Sequence, residues 1–318
     1  MFLESFKITG LAVTQIFLLG AIGYFLIKKD ILGQAGLDIL SRLVIEVTLP
    51  MLIFCQIVKD FRFNLYPDWW LFPLLSVLIT IAGLLLGQLF AGFIKGSQKK
   101  MQFLSLVAFQ NSGYLPLALI VALVAADKIG AMLIYLFLFL LGFNLVIWSF
   151  GVYMLSLQER KKFELGSLFS PPVIACILGL VTVFFGLNKF IPNTVLKPLR
   201  MVGDCTLPLA MLVVGGSLAL IHLKHIDKKA ICLMVLAKLI ILPVFGLWLI
   251  IKFNLPQLTG LLVMMQLAVP PATSLSIIVR HYKKEDVLIS QGIFFGHMVS
   301  LITLPLFLSL YFMLIVIR

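Results

Sequence analysis

Apolar residues in this chain arrive in long runs of about one membrane thickness, and nothing else in the sequence limits the fold as much. Crossing ~30 Å of hydrocarbon takes ~20 residues of helix at ~1.5 Å each. Ten runs approach or exceed that length: 8–27, 43–58, 69–94, 101–124, 129–157, 171–188, 201–221, 230–251, 257–279 and 287–317. They are called spans 1 to 10 below. Lipid offers no partners to backbone groups, so the spans must be helices and not open strands. Composition agrees. Hydrophobic residues make up 62% and charged residues 12%, the latter about half the ~25% usual in soluble domains. The expected class is an all-α integral membrane protein with ten transmembrane helices.

The net charge of +12 does not point to nucleic acid, because the cations sit in short loops between spans, where they set orientation. The loops after spans 1, 3, 5, 7 and 9 carry Lys28, Lys29, Arg42, Lys95, Lys99, Lys100, Arg160, Lys161, Lys162, Lys224, Lys228, Lys229, Arg280, Lys283 and Lys284. The opposite side carries fewer: Lys7, Lys59, Arg62, Lys128, Lys189, Lys197, Arg200, Lys252 and Arg318. The bias puts both termini outside the cytoplasm. Span 1 reads as a retained helix and not a cleaved leader, because no small-residue cleavage site follows it. Cys55, Cys176, Cys205 and Cys232 are scattered singly in apolar runs, without metal or redox spacing, and read as buried thiols.

The chain contains an internal repeat. Residues 42–50 read Arg-Leu-Val-Ile-Glu-Val-Thr-Leu-Pro, and residues 200–208 read Arg-Met-Val-Gly-Asp-Cys-Thr-Leu-Pro. Gly20 pairs with Gly179, Asp68 with Asp227, and Gln110 with Gln266 at nearly the same offset. Spans 1–5 (residues 1–160) and 6–10 (residues 161–318) are therefore two copies of one unit. Five is odd, so the second copy must enter the membrane from the other side, as in many secondary carriers. No GxxxxGK[ST] motif is present, so transport would draw on gradients and not on ATP.

Inverted-repeat carriers bind substrate near mid-membrane at broken helices. Proline breaks a helix by removing a donor and clashing with the previous turn. Span 4 offers Gln110-Asn111-Ser112-Gly113 ahead of Pro116. Span 9 offers Gln266 ahead of Pro270-Pro271, then Thr273 and Ser274. A half-helix N-terminus there would present free donors and partial positive charge to an anion. These ten residues form the expected substrate site. The Thr48-Leu49-Pro50 and Thr206-Leu207-Pro208 pair would shape its wall.

Glu46, Asp204, Lys238 and His297 are the candidates for coupling or charge pairing, since ionisable groups within spans are costly. Glu46 and Asp204 each follow an arginine by four residues, which is ion-pair spacing on one helix face. Asn144 and Gln15 read as interhelical hydrogen-bonders. Trp69, Trp70 and Trp148 read as an interfacial belt.

The segment Asn111-Ser112-Gly113-Tyr114-Leu115-Pro116-Leu117-Ala118-Leu119 resembles the signature of the auxin efflux carrier family, which includes plant PIN proteins and bacterial malate and malonate permeases. The Thr-Leu-Pro pair and Pro270-Pro271 fit it as well. The resemblance implies a bile-acid sodium symporter-like fold in which spans 4 and 9 unwind and cross at mid-membrane. Spans 1, 2, 6 and 7 would form a scaffold, joined into a homodimer. Spans 3–5 and 8–10 would form a transport domain moving like an elevator. The short central loop, about 158–170, matches bacterial-type members.

The expected function is gradient-driven transport of small organic anions such as malate, malonate or auxin-like acids across the plasma (inner) membrane. Few acids lie at mid-membrane, so uniport or proton coupling fits at least as well as sodium coupling; H+ is expected ahead of Na+. No cofactor, metal or nucleic acid is expected. An intramembrane enzyme lacks its motifs: there is no HExxH, and Gly203-Asp204 lacks the other glycine of GxGD. A sensor that binds a ligand without moving it is the alternative.

Overall fold

In the computed structural model, residues 2–156, 169–221, 223, 225–281 and 287–315 are described. Arg160, Lys161, Lys162, Lys224, Lys283, Lys284 and Arg318, together with most of the central loop, lie outside them. The described residues are helical throughout, apart from turns and one isolated bridge.

Each expected span falls on helix. Span 1 is α1 (Phe2–Lys28). Span 2 is α2 (Gln34–Leu43), a π turn (Val44–Thr48) and α3 (Leu49–Asp60). Span 3 is α4 (Leu71–Ala91). Span 4 divides into α5 (Ser97–Ala108) and α6 (Tyr114–Leu123). Span 5 is α7 (Ala126–Val146), a π turn (Ile147–Gly151) and α8 (Val152–Ser156). The second half follows with α9 (Pro171–Phe184), then α10 (Asn193–Asp204) and α11 (Thr206–Ala219). Span 8 is α12 (Lys228–Val235), a π turn (Leu236–Ile241) and α13 (Leu242–Lys252). Span 9 divides into α14 (Gln257–Ala268) and α15 (Ser274–His281), and span 10 is α16 (Val287–Ile315).

Six of these stretches are long and apolar enough to cross a membrane: Phe2–Lys28, Leu71–Ala91, Ala126–Leu155, Asn193–Ala219, Lys228–Lys252 and Val287–Ile315. The remaining four runs are short, broken or amphipathic. Spans 2 and 7 start earlier than their apolar runs, at Gln34 and Asn193. The reason is amphipathicity: on α2, Leu37 is buried while Asp38 and Arg42 stay exposed, so mean hydropathy misses its first turns.

The outside of the bundle is apolar and parts of its inside are small and polar. On α4, Leu74, Leu78, Ile81, Leu85 and Leu89 are exposed, at helical spacing. The opposite face buries Ser76, Thr80, Gly83 and Gly87. Water would not tolerate that stripe, whereas lipid does, and small residues let membrane helices approach closely.

The two halves interlock by exchange. Helix α1 packs on α11, and α9, the counterpart of α1, packs on α3, the counterpart of α11. The contacts match in detail. A Cβ on Gly215 would overlap the backbone of Gly20, and one on Gly179 would come within 3.0 Å of Ile57. Gly179 is the repeat partner of Gly20, and Gly215 lies 158 residues after Ile57, the offset of the Thr-Leu-Pro pair.

At one end of the bundle Lys99 Nζ donates to Asp227 Oδ2 at 2.8 Å, joining α5 to the N-cap of α12. That hydrogen bond holds the Asp227 carboxyl below its ordinary range, against a smaller opposing effect of burial. The cysteine expectation holds for two of four: Cys55 and Cys176 are buried, whereas Cys205 and Cys232 are exposed.

Candidate functional site

The breaks in spans 4 and 9 face each other. The ring of Pro116 clashes with the carbonyl of residue 112, so α6 starts at Tyr114 with proline in its first turn. Pro270 and Pro271 likewise end α14 at Ala268, and Val269 is extended, with ψ 150°. The freed strands 109–113 and 269–273 then satisfy each other. Asn111 N–H donates to Pro270 O at 2.8 Å, and Ala272 N–H donates to Phe109 O at 3.0 Å. Gln110 and Pro271 form an isolated antiparallel bridge. The Ser112 carbonyl accepts from Gln266 Nε2 at 3.1 Å.

Beside this crossing lies a cavity of about 140 Å³. The crossing contributes Gln110, Asn111, Ser112, Gly113, Tyr114, Ala272, Thr273 and Ser274 to its wall. Ile45 and Leu49 of span 2, Ser170 and Pro172 at the start of α9, and Phe143, Asn144 and Trp148 of span 5 close it. Three helix N-termini, those of α6, α15 and α9, open onto the cavity. The first N–H groups of α6, on Tyr114 and Leu115, have no partner within the helix and carry partial positive charge; in α15 Leu275 and Ser276 N–H already donate to Ala272 O and Thr273 O, and α9 opens on Pro171-Pro172, which have no N–H. No charged side chain lines it among the described residues. An anion would be held there by backbone and amide dipoles.

The polar groups on the wall are underused. Gln110 is fully buried, and neither its Oε1 nor its Nε2 has a partner among the described residues. Ser170 Oγ is also buried without one. An unmade buried hydrogen bond costs about 1–3 kcal/mol per group. That cost is met when a ligand supplies the complement.

Six of the ten expected site residues line the cavity: Gln110, Asn111, Ser112, Gly113, Thr273 and Ser274. Pro116, Gln266, Pro270 and Pro271 do not; they build the crossing behind it. Gly113 has ordinary right-handed angles, φ −99° and ψ −69°, so its missing side chain leaves space and satisfies no unusual backbone. Asn144 and Trp148 were read as helix-to-helix and interfacial residues, but both line the cavity. Helical spacing alone could have placed Asn144 one turn from Trp148 on the same face. Gln15, expected between helices, is exposed.

The four ionisable candidates stand apart from the cavity. Glu46 pairs with Arg42 at 3.4 Å, and Asp204 with Arg200 at 2.7 Å, all four partly or largely exposed. Lys238 is fully buried in the π turn Leu236–Ile241, and its Nζ has no partner among the described residues. His297 on α16 is fully buried behind the crossing, with Nε2 3.4 Å from Asn111 Nδ2 and Nδ1 2.8 Å from Ile293 O. Thr48 and Thr206, the matched pair, are both buried, and neither hydroxyl has a partner among the described residues.

Six helices long and apolar enough to cross a membrane, with two broken helices meeting beside a cavity, fit a multi-pass membrane transport protein. The family model described as membrane transport protein matches residues 10–164 and again residues 154–308, and the chain belongs to that family. An uncharacterised transporter of Methanothermobacter thermautotrophicus is 25% identical over 300 residues, covering 92% of this chain and 95% of its own. One of Methanocaldococcus jannaschii is 24% identical over 303 residues, covering 92% and 96%. The PIN-LIKES 7 protein of Arabidopsis thaliana is 23% identical over 361 residues, covering 86% and 89%.

Proposed function

We propose that this transporter is a gradient-driven secondary carrier of small organic anions, with carboxylates such as malate, malonate and auxin-like acids as its substrate class. The observation that carries the reading is the cavity at the crossing. It is small, free of charged side chains among the described residues, faced by the N-termini of α6 and α15 and lined by the Gln110 amide, which has no partner among the described residues. A carboxylate supplies acceptors to such donors.

The ten spans form two inverted repeats, and exchange of shape between them exposes the crossing to each side in turn. The reciprocal packing of α1 on α11 and α9 on α3 supports this architecture, as does the double match to the family model. Spans 1, 2, 6 and 7 act as the scaffold and pair two copies into a homodimer, while the other six spans move. The protein resides in the plasma (inner) membrane with both termini outside the cytoplasm, and H+ is its coupling ion.

The test is uptake of radiolabelled malate and malonate into proteoliposomes, with Asn111→Ala alongside. Saturable uptake that the variant loses is expected. Undiminished uptake in the variant would move the site away from the crossing, and no uptake of either acid would reject this substrate class.

A further inference from the structure

We infer that His297 and Asn111 form a proton-operated switch that raises the affinity of the cavity for an anion, so that one proton and one anion bind together. The inference rests on the carrier reading above and adds the group that couples it to a proton.

The hydrogen-bond pattern fixes the starting state. A backbone carbonyl can only accept, so the 2.8 Å contact of Nδ1 with Ile293 O makes Nδ1 the protonated nitrogen. Nε2 of the neutral ring is then an acceptor, and the Asn111 amide must turn its Nδ2–H toward it, as the 3.4 Å contact shows. Asn111 also lines the cavity at the crossing, to which it is left to offer its carbonyl oxygen. An anion does not bind an acceptor.

Protonation reverses this. A proton from water adds to the Nε2 lone pair, giving an imidazolium whose two nitrogens both donate. Nε2–H and Asn111 Nδ2–H would then oppose each other. Rotation of the Asn111 amide by about half a turn relieves the conflict: Oδ1 accepts from Nε2–H, and Nδ2–H turns into the cavity. No other bond changes. The cavity gains a donor and, behind it, a full positive charge. By linkage an anion in the cavity must raise the proton affinity of His297 by the same factor.

The surroundings allow the switch. His297 also lines a second cavity of about 390 Å³ between α1, α6, α11 and α16, so the histidine–asparagine pair is the partition between two cavities. Gly296 packs directly on Pro271, keeping α16 against the crossing. Helix α1 brings Tyr24 to the second cavity, and the π turn Leu236–Ile241 brings the buried Lys238. Helices α5 and α12 carry Lys99, Lys100, Lys228 and Lys229 near their starts, at the end where Asp227 meets Gln291. Helix α13 has Lys252 in its last turn, α14 has no titratable side chain, α15 packs on α16 and ends in Arg280 and His281, and α16 itself adds Tyr311.

The test has a transport arm and a direct arm. With the membrane potential clamped, a pH gradient of one unit supports about tenfold accumulation through one-proton coupling. His297→Gln keeps a donor and an acceptor but cannot titrate. It should lose the gradient-driven accumulation, and whatever malonate counterflow it keeps at equal pH should no longer vary with that pH. Accumulation equal to the parent protein overturns the switch.

The direct arm needs no transport. In protein labelled with [15N]histidine, His297 should show the Nδ1–H tautomer, and saturating malonate should raise its proton affinity by ~5–150-fold. Asn111→Leu should move its titration midpoint even without malonate. A midpoint indifferent to that replacement overturns the switch. If the parent protein neither binds nor moves malonate, the substrate class fails, while the tautomer and the Asn111→Leu shift still decide the switch. If His297→Gln loses counterflow as well, the same two readings decide it.

Discussion

At the scale of single residues, the site keeps polar groups unsatisfied where a merely structural core would pair them. Gln110 is the sharpest case, with both amide atoms buried and without a partner among the described residues. Gln110→Leu is nearly isosteric and removes two unmet groups, so it should stabilise the empty protein by about 1–3 kcal/mol. It should also abolish saturable malate or malonate uptake. A melting curve in detergent and the uptake assay check the two halves; a lower melting temperature would show that Gln110 is a structural residue. The residues that make the crossing were legible in the sequence because proline and glycine act locally. Which of them face the cavity was not legible, since that depends on how two broken strands hydrogen-bond across more than 150 residues of chain. Asn144 shows the limit. A lone asparagine in a span reads equally as helix-to-helix glue or as cavity wall, and only the placement of α7 beside the crossing decides it.

At the scale of elements, the bundle depends on helix pairs that approach too closely for side chains. The α1–α11 pair is the tightest, because a Cβ on Gly215 would run into the Gly20 carbonyl and one on Gly23 into Leu212. Backbone cannot rotate away as a side chain can, so the helices would have to part. Gly215→Ala should therefore cost about 1–3 kcal/mol, although alanine is the better helix former by about 1 kcal/mol. Gly10→Ala on the same helix α1 meets nothing within 4 Å and should keep or raise stability. Thermal unfolding of both variants checks the contrast; equal melting temperatures would mean that the close crossing contributes nothing. Helix positions were legible from apolar runs, but these close pairings were legible only through the repeat. Gly20 and Gly179 stood out as partners before either had a contact. The amphipathic starts of spans 2 and 7 were missed because their polar faces dilute mean hydropathy.

At the scale of the whole molecule, the remaining question is whether the two halves are inverted in the membrane, since alternating access through exchange of shapes requires it. Five crossings in each half, as proposed, put the loop after span 1 and the loop after span 6 on opposite sides. A reading with an even number of crossings per half would put them on the same side. Lys29 and Lys189 are exposed members of these loops, and neither joins an ion pair among the described residues. Lys29→Cys and Lys189→Cys, each in a background with the four native cysteines replaced, should react with a membrane-impermeant maleimide from opposite sides of intact cells. The cation bias predicts the sense as well, with residue 29 labelled only after permeabilisation and residue 189 labelled directly. Labelling of both from one side would remove the inverted repeat, and with it the two-state exchange that places the crossing alternately on each face. Labelling from opposite sides in the reverse sense would keep the mechanism and invert the protein, without changing the direction in which a proton gradient drives its anion, since that direction is set by the gradient.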